Sequence, residues 1–224
     1  VLHLAPPAAA GVRDERTKHL LQALARSPRL RRLVYASTSG VYGDCGGARV
    51  DETRPLRPGT DRARRRVDAE QRVLCFGRRR GVAVSVLRLP GIYALGRIGG
   101  DPRERLARGS AVLRAADDVF TNHIHADDLA RACVAALSRG LRQRAVNICD
   151  DTVLRMGDYF DLAADLLDLP RPPRLSRADA ALQLSPMQMS FMSESRRLDN
   201  GRMKRELRLV LQHPTVDSGL RPLP

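Results

Sequence analysis

Short runs rich in β-branched residues alternate along this chain with segments of helical period, and that alternation limits the fold more than any other feature. Val82-Ala83-Val84-Ser85-Val86-Leu87-Arg88-Leu89 is the strongest strand. Leu33-Val34-Tyr35-Ala36 and Ala145-Val146-Asn147-Ile148-Cys149 are two more. Val1-Leu2-His3-Leu4-Ala5 is a short apolar run with a breaker, Pro6-Pro7, behind it. The first helical segment runs from about Val12 to Arg26, with Leu20, Leu21 and Leu24 on one face and Ser27-Pro28 as its stop. A second spans Asp61 to about Gly77, with Ala63, Val67, Glu70 and Leu74 aligned, and a third spans Asp127 to Ser138 before Gly140. Strands and helices in this order predict βαβ units, a parallel sheet and helices on both of its faces, so the expected class is α/β.

After Asp151 the composition shifts. A helix carrying Tyr159, Leu162, Ala163, Leu166 and Leu167 is expected to end at Pro170. A Pro/Arg linker, a Ser- and Met-rich region, a helix near Asp199 to Leu207 and a Pro-rich tail follow. No internal repeat is present. The 224 residues suit one large domain with a small appendage. Hydrophobic residues at 43% exclude a disordered chain, and no stretch is long enough to predict a membrane span.

The net charge is +14, and all basic residues except Lys18 and Lys204 are arginine. A basic chain invites a nucleic-acid partner. Here the arginines are scattered among acidic residues and aromatics are only 4%, with no Trp, so stacking platforms are scarce and nucleic acid is not the expected partner. Arg64-Arg65-Arg66 and Arg78-Arg79-Arg80 read as solvated faces. Cys45, Cys75, Cys133 and Cys149 form no CxxC pair and, with the five His residues, show no metal spacing. Buried thiols in a reducing compartment, by default the cytoplasm, and no metal are the expectation.

Tyr35-Ala36-Ser37-Thr38-Ser39-Gly40-Val41-Tyr42-Gly43-Asp44, followed by Val50-Asp51-Glu52 and Pro58, resembles the central segment of the NAD-dependent epimerase/dehydratase family, the extended short-chain dehydrogenases/reductases. Leu87-Arg88-Leu89-Pro90-Gly91-Ile92-Tyr93 is similar to the family's next strand and nicotinamide-side loop. Asn122-His123-Ile124-His125-Ala126-Asp127-Asp128-Leu129-Ala130 is similar to its "IHVDDLA" helix start, and Val146-Asn147-Ile148 to its last Rossmann strand. His213-Pro214-Thr215 with Gly219-Leu220 is similar to an atypical branch. The resemblance implies a doubly wound Rossmann-like sheet. It assigns residues 1–93 and 122–150 to the NAD(P)-binding domain, and 94–121 and 151–224 to a smaller substrate-side lobe.

Two departures from the family pattern stand out. No GxxGxxG turn is present, and Val1 to Ala5 matches the fourth family strand, so the first three strands have no counterpart. The expectation is therefore a partial Rossmann sheet in a truncated chain, its first strand presenting a bare edge. The second departure concerns the family's catalytic Ser/Thr and Tyr-x-x-x-Lys. The pattern places the Ser/Thr on Thr38, the Tyr on Arg62 and the Lys on Arg66. A guanidinium does not deprotonate in proteins, so Arg62 cannot act as general base, whereas Arg66 can still donate to ribose hydroxyls.

The resemblance further implies contacts to NAD or NADP from Leu4, Ala5 and Pro6, from Ala36 and Ser37, from Arg66, and from Leu89, Pro90 and Gly91. Tyr42 reads as a packed ring closing the turn, His123 and His125 as hydrogen-bonded structural groups, and Asp127 and Asp128 as partners of a helix start. The implied function is NAD(P)-dependent epimerase/dehydratase or reductase chemistry on a hydroxyl/carbonyl substrate, a nucleotide sugar among the candidates. A catalytically silent dinucleotide-binding module is the alternative, and a basic nucleic-acid-binding surface the third reading. Homodimerisation stays open.

Overall fold

The computed structural model describes residues 1–221; the end of the Pro-rich tail, 222–224, lies outside the described residues. The chain begins β1 (Leu2–His3), α1 (Glu15–Leu24), β2 (Arg32–Thr38), a 3-10 turn at Ser39–Tyr42, β3 (Arg49–Val50) and α2 (Asp61–Arg80). It continues β4 (Ala83–Leu89), β5 (Gly91–Tyr93), α3 (Pro102–Ala107), β6 (Val112–Leu113), β7 (Phe120–Thr121), β8 (His123–His125), α4 (Ala126–Arg139) and β9 (Arg144–Asn147). It ends β10 (Leu154–Arg155), α5 (Met156–Leu166), β11 (Arg174–Leu175), α6 (Arg177–Gln183), α7 (Pro186–Phe191), β12 (Arg197–Leu198), α8 (Gly201–Glu206) and α9 (Val216–Leu220). No described helix is long and apolar enough to cross a membrane.

Four strands build the main sheet, parallel throughout, in the order β1-β2-β4-β9. β1 lies at one edge, paired with β2 through Leu2↔Val34 and His3↔Tyr35. β2 and β4 pair from Arg32↔Ala83 to Thr38↔Leu89, so Thr38 and Leu89 end side by side at the carboxyl edge. Strand periodicity divides the side chains between two cores. Leu33, Tyr35, Val84 and Val86 pack with Leu21 of α1 and with Ala69 and Val73 of α2. Val34, Ala36, Leu87 and Val146 face the other way, onto Ala132 and Ala136 of α4. Helices thus cover both faces of an α/β sheet, as the alternation predicts.

Met203 and Leu207 join the α4 side of the sheet, with Leu209 and Leu211 beside them. The sequence reading put this stretch in the substrate-side lobe. Its apolar residues instead complete the face that α4 leaves open beside β9. A separate core, including Leu113, Val119, Tyr159, Phe160, Ala163 and Val216, fills the lobe built around α5.

α2 shows how local sequence sets geometry. Thr60 accepts the Ala63 N–H through its hydroxyl and starts the helix. Gly81, in the left-handed region at φ 67°, ends it at Arg80, three residues beyond the expected Gly77. Gly77 is an interior helix residue for a different reason. A Cβ there would sit 2.9 Å from Val82 O and against the Val84 side chain, so its lack of a side chain lets α2 lie close on β4.

Candidate functional site

A cavity of about 530 Å³ opens beyond the carboxyl ends of β2 and β4, where open α/β sheets hold their ligands. Thr38 forms its floor at the end of β2. Its Oγ1 accepts the Gly40 N–H at 3.3 Å and so caps the 3-10 turn. Arg62 and Arg66 reach it from α2, Pro90 from the link after β4 and Gly91 from the start of β5. The Arg62 guanidinium lies 4.6 Å over the Phe191 ring. Arg66 Nη1 donates to Ala36 O at 2.8 Å and to the Tyr35 hydroxyl at 3.1 Å. One side of the Arg66 fork is therefore engaged within the chain.

Behind this wall lies a buried polar network. Ser37 Oγ donates to Glu70 Oε1 at 2.5 Å, and Arg88 Nη2 to Glu70 Oε2 at 2.8 Å. Arg88 Nη1 donates to the Tyr42 hydroxyl at 2.8 Å, which donates to Asn147 Oδ1 at 2.7 Å. Tyr42 is almost fully buried, and burial pushes its phenol up to about 12. Its two hydrogen bonds make it a structural group that ties β4 to β9. The Ser37 hydroxyl points into this network and not into the cavity.

Of the residues that the family pattern assigns, Thr38, Arg62, Arg66, Pro90 and Gly91 share the cavity wall. Ala36 and Leu89 are buried in the α4-side core. Leu4, Ala5 and Pro6 are exposed beyond β1 and stand apart from this cavity.

The opposite wall comes from residues that pattern reading did not assign to the cavity. Tyr93 follows β5's apolar register, while Tyr159 and Phe160 project from α5. His123 stacks on Tyr159 with ring centroids 4.1 Å apart at 13°, and its buried Nδ1 has no hydrogen-bond partner among the described residues. Burial holds the His123 imidazole down at about 3, so it is neutral at physiological pH. Arg105 lies 4.5 Å over Phe160, with a buried Nε that lacks a partner among the described residues. Glu194 and Arg196 pair at 2.8 Å on the side nearest Arg62.

The helix-start residues divide their work differently from the expectation. His125 itself caps α4, its Nδ1 accepting the Asp127 N–H at 3.3 Å. Asp128 is fully buried and accepts from Arg131 Nη1 and from the backbone N–H groups of Gln212 and His213. It fastens the chain near its end to α4 instead of capping the helix.

A doubly wound parallel sheet with its cavity at the carboxyl edge defines a Rossmann-type nucleotide-binding architecture. Residues 15–149 match the NAD dependent epimerase/dehydratase family, and the chain belongs to that family. It is similar to a functionally unknown conserved protein from Silicibacter pomeroyi DSS, with 35% identity over 98% of this chain and 74% of that one and a TM-score of 0.84. It is also similar to RMD from Pseudomonas aeruginosa complexed with NADPH, at 19% identity, 99% and 78% coverage and a TM-score of 0.77. A UDP-glucuronic acid 4-epimerase from Bacillus cereus in complex with NAD gives 16% identity, 98% and 71% coverage and a TM-score of 0.77. At these identities the last two speak for the fold. No curated protein matches the chain.

Proposed function

We propose that this chain binds the nicotinamide-ribose end of NAD or NADP at the carboxyl edge of β2 and β4 and offers the adjoining cavity to a hydroxyl- or carbonyl-bearing substrate. The observation carrying this reading is the convergence of Thr38, Arg66, Pro90 and Gly91 on one cavity in a member of this family. The residues present suit that end of a dinucleotide. Arg66 keeps guanidinium N–H groups beyond the one engaged by Ala36 and Tyr35, and these can donate to ribose hydroxyls. These residues address the nicotinamide side of the dinucleotide. When bound, the dinucleotide supplies a hydride acceptor or donor. Thr38 would donate a hydrogen bond to the substrate oxygen, and the tyrosine-lined wall would exclude water. The RMD and epimerase relatives, bound to NADPH and NAD, support this cofactor class, and a nucleotide sugar is the substrate to try first.

A second reading, a binding module without turnover, is favoured by one specific observation. The family pattern, carried onto this sequence, puts Arg62 and Arg66 at the positions of its phenol and amine, and neither guanidinium exchanges a proton at ordinary pH. Calorimetry with NAD+ and NADP+, followed by hydride-transfer assays with UDP-glucose and UDP-glucuronic acid, separates the two. Turnover by the wild-type chain rejects the silent module. Dinucleotide binding without turnover, with activity gained in Arg62→Tyr/Arg66→Lys, establishes it. Failure of both dinucleotides to bind refutes both readings.

A further inference from the structure

The fold brings together three potential metal ligands that no linear spacing in the sequence connects. His125 ends β8, Asp127 lies in the first turn of α4, and His213 comes from the segment after α8. One ligand atom from each falls within 4.8 Å of the other two. We propose that His125, Asp127 and His213 form a binding site for a divalent borderline metal ion of the zinc type.

Part of the geometry is already in place. With metal–ligand bonds of about 2.0–2.1 Å, tetrahedral donors stand roughly 3.4 Å apart. His125 Nδ1 and Asp127 Oδ2 are already 3.7 Å apart. The His125 and His213 rings lie 3.8 Å apart at centroids and are tilted by 40°. Two imidazoles on one tetrahedral ion hold their centroids about 5 Å apart, so binding requires these rings to swing apart from their partly face-to-face contact.

The donors are also free to respond. Among the described residues, the one side-chain hydrogen bond of His125 is the 3.3 Å contact from the Asp127 N–H, longer than a typical N–H bond and easily exchanged. Among the described residues, the His213 ring makes no hydrogen bond, and no arginine or lysine pairs with Asp127.

The backbone around the three ligands is held firmly. β8 is fixed to β5 through Ile92↔Ile124 and Tyr93↔His125. His213 is fixed by Asp128, which accepts its N–H at 2.8 Å and that of Gln212 at 2.9 Å. This buried carboxylate sets where His213 stands and leaves its ring facing His125. Two imidazoles and one carboxylate suit zinc and its neighbours, whereas magnesium and calcium prefer oxygen ligands alone. Three protein ligands leave a fourth position for water.

Tyr93 packs edge-on against His125 at 5.3 Å and lines the functional cavity, and its hydroxyl donates to Thr215 O at 3.2 Å. A metal ion here would cross-link the segment around His213 to the sheet lobe directly behind that cavity wall. The site stands independently of dinucleotide binding.

Titration of the chelator-treated full chain with Zn2+ alone, and with Mg2+ as comparison, tests the assignment by calorimetry and thermal denaturation. The expected result is uptake of a single equivalent of Zn2+, a rise in melting temperature with Zn2+, and no uptake of Mg2+. His213→Gln and Asp127→Asn are each expected to weaken Zn2+ at least about tenfold and to abolish the thermal shift. Asp127 is exposed, so its variant keeps the test valid if His213→Gln disturbs the fold. Absence of Zn2+ uptake by the wild-type chain, undiminished uptake by Asp127→Asn, or equal affinity for Mg2+ overturns the proposal.

Discussion

Replacing Arg88 with Met probes the polar network beneath the cavity floor. Glu70 and Arg88 are 2% and 7% exposed in their side chains, so both charges are desolvated. Arg88→Met retains most of the side chain's length. It strips Glu70 of its ionic partner, leaves Ser37 Oγ as its remaining side-chain donor, and takes away the donor to Tyr42. Removing one member of a buried ion pair costs about 3–5 kcal/mol, because the remaining charge stays out of water. With a urea dependence of about 3 kcal/mol per molar, the unfolding midpoint should fall by roughly 1–1.7 M. The double variant Arg88→Met/Glu70→Leu should recover part of that loss, since apolar replacement of both partners is often close to neutral. Urea titrations followed by circular dichroism provide the comparison. A midpoint shift below about 0.3 M in the single variant, or a double variant less stable than the single, would refute the view that Glu70 depends on Arg88.

Further outcomes follow from two other positions. Gly77→Ala places a methyl group 2.9 Å from Val82 O and against Val84, and overpacking of this kind costs about 1–3 kcal/mol; an unchanged melting temperature would contradict the close approach of α2 and β4. Asp150 is buried, its Oδ2 has no partner among the described residues, and burial raises its pKa from 3.8 to about 7. The folded state therefore holds this proton more tightly than the unfolded chain does. The contribution of Asp150 to stability is therefore full below pH about 4 and is lost as the pH rises toward about 7, by a few kcal/mol at about 1.36 kcal/mol per pKa unit. Asp150→Asn should flatten that fall in urea titrations across the range, and parallel pH profiles for variant and wild type would rule it out.

The parts of this fold that were legible in the sequence are those with long periodic signals. Val82 to Leu89 reads as a strand because its side chains fill both faces of the sheet, and α2 reads as a helix because its apolar stripe faces β2 and β4. β3, β6, β10, β11 and β12 are two residues each, too short for any period to register. α3, α6 and α7 were missed although their capping signals are present: Asp101 before Pro102, Ser176 bonding Asp179, and Ser185 with Gln188 in a capping box. Thr38, Arg62 and Arg66 were found through motif resemblance, which fixes the neighbourhood of β2 and α2. Tyr159, Arg105, Glu194 and Arg196 meet across the cavity only after α3, α5 and the chain before β12 have docked. Their chemistry is visible in the sequence, but their convergence is a property of the tertiary structure.

The stretch between β11 and β12 is pinned by backbone ladders at both ends, β11 to β6 in the lobe and β12 to β3 beside the sheet. Ser195 O also receives the N–H groups of Cys45 and Gly47. Between these anchors run α6 and α7, and Ser190, Phe191 and Glu194 contribute to the cavity. The span works as a strap buckled at two points. Along its length Phe191 rests under the Arg62 guanidinium, so the span is tied to α2 as well as at its two ends.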